Sequence, residues 1–265
     1  MSSLEKFSLS GKNALVTGAS GYLGSVMSVA LADAGAHVIL NVRASAKAES
    51  LMRDIHARGG SAEILELDVC DEKAVKDYFN YRAPNELHVL VNNAYKGKGG
   101  TIETSTGADY MEAYQVAMVA AHNMLTYALP ALRRAVAKAG DASVINVGSM
   151  YGVVSPDKRV YDSPSGTNPP FYGATKAALI QWSRYAACEF GGEGIRVNAI
   201  SPGPFPSLTV QEDLPNFIAT LASKVPLGRV GQSDEIAGPV LFLASSAASF
   251  VNGVNLSVDG GWTAW

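Results

Sequence analysis

The sequence is short of the features that mark secreted, membrane-bound and nucleic-acid-coating proteins. It has only two cysteines, Cys70 and Cys188, in 265 residues, too few for a disulfide framework, so a reduced compartment is expected. Charged residues make up 17% of the chain against 48% hydrophobic residues, the reverse of the balance that keeps a chain disordered. The net charge of −3 provides no basic stripe for a phosphate backbone, which argues against a nucleic-acid partner. No apolar run approaches the roughly 18 residues that cross a bilayer. The N-terminus, Met1-Ser2-Ser3-Leu4-Glu5-Lys6-Phe7, lacks the basic-then-apolar layout of a secretory signal. A soluble, cytoplasmic protein without a membrane partner is expected. Its length allows one large domain or two small ones, and at this size folding buries roughly three quarters of the unfolded surface.

What the sequence does contain is alternation. Short β-branched runs at 13–17, 37–40, 62–67, 87–91, 143–147, 195–200 and 254–258 read as strands. Helical spacing fills 22–34, 46–58, 72–82, 109–139, 172–190 and 234–244, and glycine stops the first two of these at Gly35 and Gly59. Strands alternating with helices predict an α/β fold, a doubly wound, seven-stranded parallel sheet with helices on both faces. No repeat or shift in composition marks a boundary, so 1–265 reads as one domain. The one irregular stretch is 156–170, rich in Pro, Ser, Asp and Gly, which reads as a loop.

The first strand ends in Thr17-Gly18-Ala19-Ser20-Gly21-Tyr22-Leu23-Gly24, and a helix follows. Glycines let a backbone turn tightly and approach a pyrophosphate, and a helix N-terminus offers free N–H groups with a partial positive charge. An ordinary strand-to-helix turn also uses glycine, but this one follows the first strand of a βαβ pattern. Downstream, Tyr172-Gly173-Ala174-Thr175-Lys176 places a phenol and an ammonium one helical turn apart. Such an ammonium is expected to favour the phenolate and lower the tyrosine pKa, fitting it for proton exchange near neutrality. Ser149 closes the fifth strand, at the strand end where doubly wound sheets bind ligands, and its hydroxyl can stabilise charge on a substrate oxygen.

Together these residues resemble the short-chain dehydrogenase/reductase family, and the matching stretches run from residue 11 to 261. The resemblance implies a Rossmann-like fold and an NAD(P)-dependent oxidoreductase that interconverts a secondary alcohol and a ketone. Its catalytic residues would be Ser149, Tyr172 and Lys176: Ser149 polarises the substrate, Tyr172 is the general acid/base, and Lys176 tunes the tyrosine and holds the cofactor ribose. Gly18, Ser20, Tyr22, Leu23 and Gly24 would cradle the cofactor. The family's second glycine falls on Tyr22, with Gly21 one place early. Asp68-Val69 resembles the pair that contacts adenine, and Asn92-Asn93-Ala94 resembles an Asn-Asn-Ala-Gly turn whose glycine is Tyr95 here. Asn93 and Ala94 are therefore cofactor candidates. Ser201-Pro202-Gly203-Pro204-Phe205-Pro206-Ser207 resembles the loop that holds the nicotinamide, which brings in Pro202, Phe205 and Ser207. Gly228-Arg229-Val230-Gly231 with Glu235, and Val258-Asp259-Gly260-Gly261, also resemble the family.

The acid that would bind the NAD ribose aligns with Val42, and Arg43 follows, with Ser45 and Lys47 close behind. An arginine fork suits a 2′-phosphate, so NADP is favoured over NAD. The family's water-holding helix asparagine aligns with Ala117, which predicts an altered relay. Tyr172 lies 23 positions after Ser149, a longer gap than the family usual, so an insertion at about 153–170 leaves beside the catalytic serine and returns at the tyrosine. It is expected to form a polar wall for a hydroxyl-rich or anionic small molecule such as a sugar, sugar acid or nucleotide sugar. The stretch 205–217 would be a second, mobile wall.

His37, His56, His88 and His122 share no metal-ligand spacing, so no metal is expected. Cys70 and Cys188 read as buried or partly buried apolar residues. Trp182, Trp262 and Trp265 read as packing or subunit contacts, and the resemblance implies a homodimer or homotetramer. Two other readings stay open. A sugar-nucleotide epimerase or dehydratase is hinted at by Gly21, though the short tail after the sixth strand leaves little room for a substrate domain. A non-catalytic dinucleotide sensor is suggested by Ala117 and Tyr95.

Overall fold

In the computed structural model, which describes residues 2–265, seven strands form one parallel sheet. They are β1 Asn13–Thr17, β2 His37–Val42, β3 Ser61–Glu66, β4 Val89–Asn92, β5 Ala142–Val147, β6 Ile195–Pro202 and β7 Asn255–Val258. Their order across the sheet is β3-β2-β1-β4-β5-β6-β7. The chain winds outward from β1 to one edge, returns, and winds to the other. The order therefore reverses between β1 and β4, which opens a crevice at the strand C-termini. The doubly wound expectation is met.

Helices α1 Tyr22–Asp33, α2 Glu49–Ala57 and α9 Ala237–Ala244 belong to one apolar layer, and α3 Glu72–Tyr81, α5 Ala120–Ala139 and α6 Pro170–Phe190 to the other. Every residue of β4, β5 and β6 is buried, as strands covered on both faces must be. The edge strand β3 instead alternates exposed and buried positions over much of its length. Leu15, Val38, Leu90, Val144 and Val197 lose all contact with water, each such side chain contributing about 1.5–3 kcal/mol by burial.

The long helical stretch begins earlier than the expected 109, with α4 Gly107–Tyr114 capped by a reciprocal Thr106–Asp109 pair. It also changes pitch: Gln115–Val119 is a π-helical turn, after which α5 continues to Ala139. Single π turns tend to sit at functional sites, and this one holds Ala117. The stretch 205–217 contains two helices the sequence pattern did not reveal, α7 Leu208–Asp213 and the start of α8 Pro215–Ser223. No described helix is long and apolar enough to cross a membrane.

Candidate active site

The β1–α1 turn is shaped by what cannot fit in it. Gly18 has φ +62°, in the left-handed region that favours glycine. A Cβ on Gly24 would lie 2.3 Å from the Gly18 carbonyl oxygen, so helix and strand meet in bare backbone contact. Gly21, rather than the family's position 22, is the helix N-cap, and no side chain caps it. The first-turn N–H groups thus stay free to bind an anion. Asn93 locks the turn from the next strand: its Nδ2 donates to the carbonyls of Thr17 (3.0 Å) and Gly18 (3.1 Å). Thr17 Oγ1 accepts from the backbone N–H groups of Asn93 and Ala94. Asn92, beside it, starts a buried chain through Asn146 to Ser183.

This turn floors a cleft of about 710 Å³ along the strand C-termini. It is lined by Gly18, Ser20, Tyr22, Leu23, Gly24, Arg43, Asp68, Val69, Asn93, Ala94, Ser149, Tyr172, Lys176, Pro202 and Phe205, so all but one of the predicted site residues come together. The exception is Ser207, whose hydroxyl accepts from Val210 N–H and caps α7 instead of facing the cleft. The structure adds Asn41, Val42, Lys47, Tyr95, Lys96 and Glu112 to the lining. Only the resemblance had drawn attention to Tyr95, and Lys96 and Glu112 carried no pattern that pointed to the cleft.

The residues present fit a dinucleotide. The cradle is one that a Cβ would fill, and a basic pair stands at the end of β2. Val42 is 4% exposed and offers no carboxylate to a ribose. The nearby Glu66 carboxylate accepts from Ser45 N–H at 2.8 Å and does not line the cleft. Arg43 and Lys47 make no ion pair among the described residues. Asp68 is partly engaged in a turn, accepting from Cys70 N–H at 2.9 Å.

At the far end, Lys176 is 3% exposed. Its Nζ donates to the Val147 carbonyl at 2.6 Å and sits 5.2 Å from the Tyr95 ring centroid and 5.7 Å from that of Tyr172. Burial lowers its pKa to about 8. The expected acidification of the phenol is not found. Burial raises the Tyr172 pKa, and the opposing pull comes from the Ser149 hydroxyl rather than the ammonium, which lies over the ring face. Tyr95 packs edge-to-face on Tyr172, with centroids 4.9 Å apart. Beside Ala117 a cavity of about 10 Å³, bordered by Asn92 and Lys176, has room for one water molecule at most.

The insertion is folded onto the body. Val160 is buried and Tyr161 half-buried against Leu221, Val225 and Trp262, and the Tyr161 and Tyr151 hydroxyls are 2.8 Å apart. Asp157 pairs with Lys224 of the segment after α8, and Thr167 O accepts from Gly100 N–H at 2.9 Å. Tyr172, Asn168 and Tyr161 line a second, open cleft of about 320 Å³ with Tyr95 and Lys98. Among the residues set aside, Cys70 is half-buried, with its thiol pushed up to about 11 by burial, whereas Cys188 is exposed, contrary to expectation. No described group of His, Cys, Asp or Glu could hold a metal ion.

A doubly wound sheet with a glycine cradle at its crevice and a Ser-Tyr-Lys set beside it defines a nucleotide-dependent dehydrogenase class. The comparisons with known proteins narrow the class. A family model described as "Enoyl-(Acyl carrier protein) reductase" matches residues 18–263. The galactitol 2-dehydrogenase of Rhizobium johnstonii is 32% identical over 270 residues, covering 100% of both chains. The gluconate 5-dehydrogenase of Gluconobacter oxydans is 32% identical, covering 99% of both chains. Among solved structures, the RhlG/NADP active-site complex of Pseudomonas aeruginosa superposes with a TM-score of 0.87 at 30% identity, covering 98% of this chain and 99% of that one. A gluconate 5-dehydrogenase from Burkholderia cenocepacia, solved with NADP and tartrate, gives 0.85 at 29% identity over 100% of each chain. The chain belongs to the short-chain dehydrogenase/reductase family.

Proposed function

We propose that this protein is an NADP-dependent oxidoreductase interconverting a secondary alcohol and a ketone on a polar, sugar-like substrate, with one domain carrying both the cofactor and the catalytic residues. The observation that carries the reading is the convergence of Ser149, Tyr172 and Lys176 at one end of a glycine-floored cleft. The fold relatives solved with NADP, and those named for sugar acids and polyols, support it.

Arg43 and Lys47 would hold the 2′-phosphate, a role Val42 cannot contest. Asp68 and Val69 would border the adenine, and the free first-turn N–H groups of α1 the pyrophosphate. Pro202 and Phe205 would border the nicotinamide, and Ser207 could join them only by releasing its helix cap. The cofactor, when bound, supplies the hydride acceptor or donor. In the oxidative direction Tyr172 Oη removes the hydroxyl proton while Ser149 Oγ hydrogen-bonds the same oxygen. Tyr172 enters this step as the phenolate and leaves it as the phenol, and Lys176, charged below about pH 8, is the cation beside it and would hold the ribose. With Ala117 in place of an asparagine, the proton leaves Lys176 by a path other than the family's.

The exposed Met111 and Tyr114 on α4 and Tyr185 on α6 support a homodimer or homotetramer built on these helices, and a cytoplasmic location fits two free cysteines. The experiment is absorbance at the reduced-nicotinamide band with a panel of sugars, polyols and ketones. Net cofactor reduction or oxidation is expected. Product without net cofactor change would make the protein an epimerase or dehydratase, and binding without turnover a sensor.

A further inference from the structure

Among the lysines of the long cleft, Lys176 alone is buried, and it has no carboxylate beside it. The two carboxylates that line the same cleft are engaged elsewhere. Glu112 of α4 faces Lys96 at 3.9 Å, and Asp68, after β3, accepts from Cys70 N–H at 2.9 Å. Ser149, at the end of β5, offers a hydroxyl that is bonded towards Tyr172 and adds no charge. Among the described residues Nζ makes one hydrogen bond, to the Val147 carbonyl. An ammonium carries three donors, so most of this buried charge is left unmatched.

What surrounds the ammonium instead is aromatic. Nζ lies 5.2 Å from the Tyr95 ring centroid and 5.7 Å from that of Tyr172. Both distances fall inside the roughly 6 Å over which a ring face attracts a cation. The rings meet edge to face with centroids 4.9 Å apart, so they form two sides of a box around the charge. Tyr172 shares a helix with Lys176, whereas Tyr95 is brought in by the turn after β4. That turn is shaped to seat it: a Cβ on Gly97 would lie 2.7 Å from Tyr95 Oη and 2.8 Å from its Cε1, so the ring tip rests on bare backbone.

The hydroxyl of Tyr95 is not what the position uses. Its Oη is buried without a hydrogen-bond partner, a cost rather than a gain. Burial also raises the pKa of this phenol, so the residue stays a neutral ring. What it offers is the negative face of that ring, which is worth most to a cation removed from water.

We infer that Tyr95 is a positioning residue, whose ring face holds the Lys176 ammonium in place and charged beside Tyr172, as a carboxylate does in an ordinary ion pair. The inference rests on the oxidoreductase reading above, which gives Lys176 its task.

The test reads the lysine directly, in the intact protein without substrate. Lysine labelled at its ε-carbon is incorporated, the Lys176 resonance is assigned by its loss in Lys176→Met, and its shift is followed against pH. In the parent the inflection is expected at about 8. Tyr95→Phe keeps the ring, so the inflection should stay in place and the protein should melt no lower than the parent. Tyr95→Leu keeps an apolar filler and removes the ring face. Its inflection should fall by about half to one and a half pH units. The alkaline fall of kcat/KM, for whichever compound of the panel above is turned over fastest, should move down by the same amount. An inflection that rises in Tyr95→Leu would show that the ring acts only by excluding water, and one that stays would show that it only packs. Either result overturns the inference and leaves the oxidoreductase reading standing. A fall shared by Tyr95→Phe would overturn it too, because the hydroxyl would then carry the effect. A fall confined to Tyr95→Leu in a protein that turns over no compound of the panel would remove the oxidoreductase reading, and the role beside Tyr172 with it.

Discussion

The two ends of the long cleft are built on different principles. At the β1–α1 turn the structure is backbone against backbone: Gly24 on the Gly18 carbonyl, the Asn93 amide on Thr17 and Gly18, and an uncapped helix N-terminus. At the Tyr172 end it is side chain against side chain, with Tyr95 on Tyr172, Tyr151 on Tyr161 and Phe217 beside Tyr161. Backbone contact tolerates few residue types, whereas aromatic packing can be assembled in many ways. On the proposed reading, the first end sets which cofactor class binds and the second is free to choose a substrate.

The predictions bear on that contrast. Tyr172→Phe should reduce kcat/KM by about 10²–10⁴-fold, the usual contribution of a general acid/base, with the NADP Kd unchanged by calorimetry; retained turnover would remove the proposed mechanism. Replacing 156–167 with a short Gly-Ser loop should raise the substrate KM by about tenfold or more, through loss of the Tyr161 wall and the Asp157–Lys224 pair, while NADP binding survives. Equal damage to both would show that the two ends are not separable. Gly24→Val should do the opposite. Its side chain has no room beside the Gly18 carbonyl, so NADP binding should weaken by about tenfold or more and stability should fall by about 1–3 kcal/mol, seen by fluorescence titration and urea melts.

Arg43→Ala should weaken NADP by about tenfold, as expected for a lost charge-assisted hydrogen bond, and leave NAD nearly unaffected; an equal loss for both would move Arg43 to a part the cofactors share, and no loss for either would place it in solvent. The smallest effect is one on stability, at Lys176. Its pKa is lowered to about 8 in the folded chain from 10.5, so burying the charged form costs stability below pH 8, and the cost fades as pH rises from 8 towards 10.5. Lys176→Met should therefore be inactive yet melt a few degrees higher than the parent at pH 7, with the gap narrowing by pH 10. A gap that widens with pH would contradict the sign.

Legibility in the sequence follows the same divide. The seven strands and their parallel arrangement could be read because β4, β5 and β6 are buried on both faces and so are rich in β-branched and apolar residues, even with Ser143, Asn146, Arg196, Asn198 and Ser201 among them. The glycine turn, Ser149, Tyr172 and Lys176 could be read because their chemistry fixes both residue type and spacing. The helices α7 and α8 were hidden in a stretch opened by Pro204 and Pro206 and interrupted by Pro215, and α8 packs through Phe217, Ile218 and Leu221 against residues far away in the chain. Ser207 misled because one hydroxyl suits two roles, and here it caps α7. The phenol's acidity was misjudged because spacing along a helix shows that two groups are neighbours, not that the ammonium sits over a ring face and that burial outweighs it.

The π turn at Gln115–Val119 carries a further consequence. A ring closed from i to i+5 encloses one residue more than an ordinary α-turn. Excising a single codon there would let α4 and α5 merge into one regular rod. Every side chain upstream would then swing by about a hundred degrees relative to the rest. Glu112 and Tyr114 would change faces, and the roof of the crevice would be rebuilt without any substitution at all.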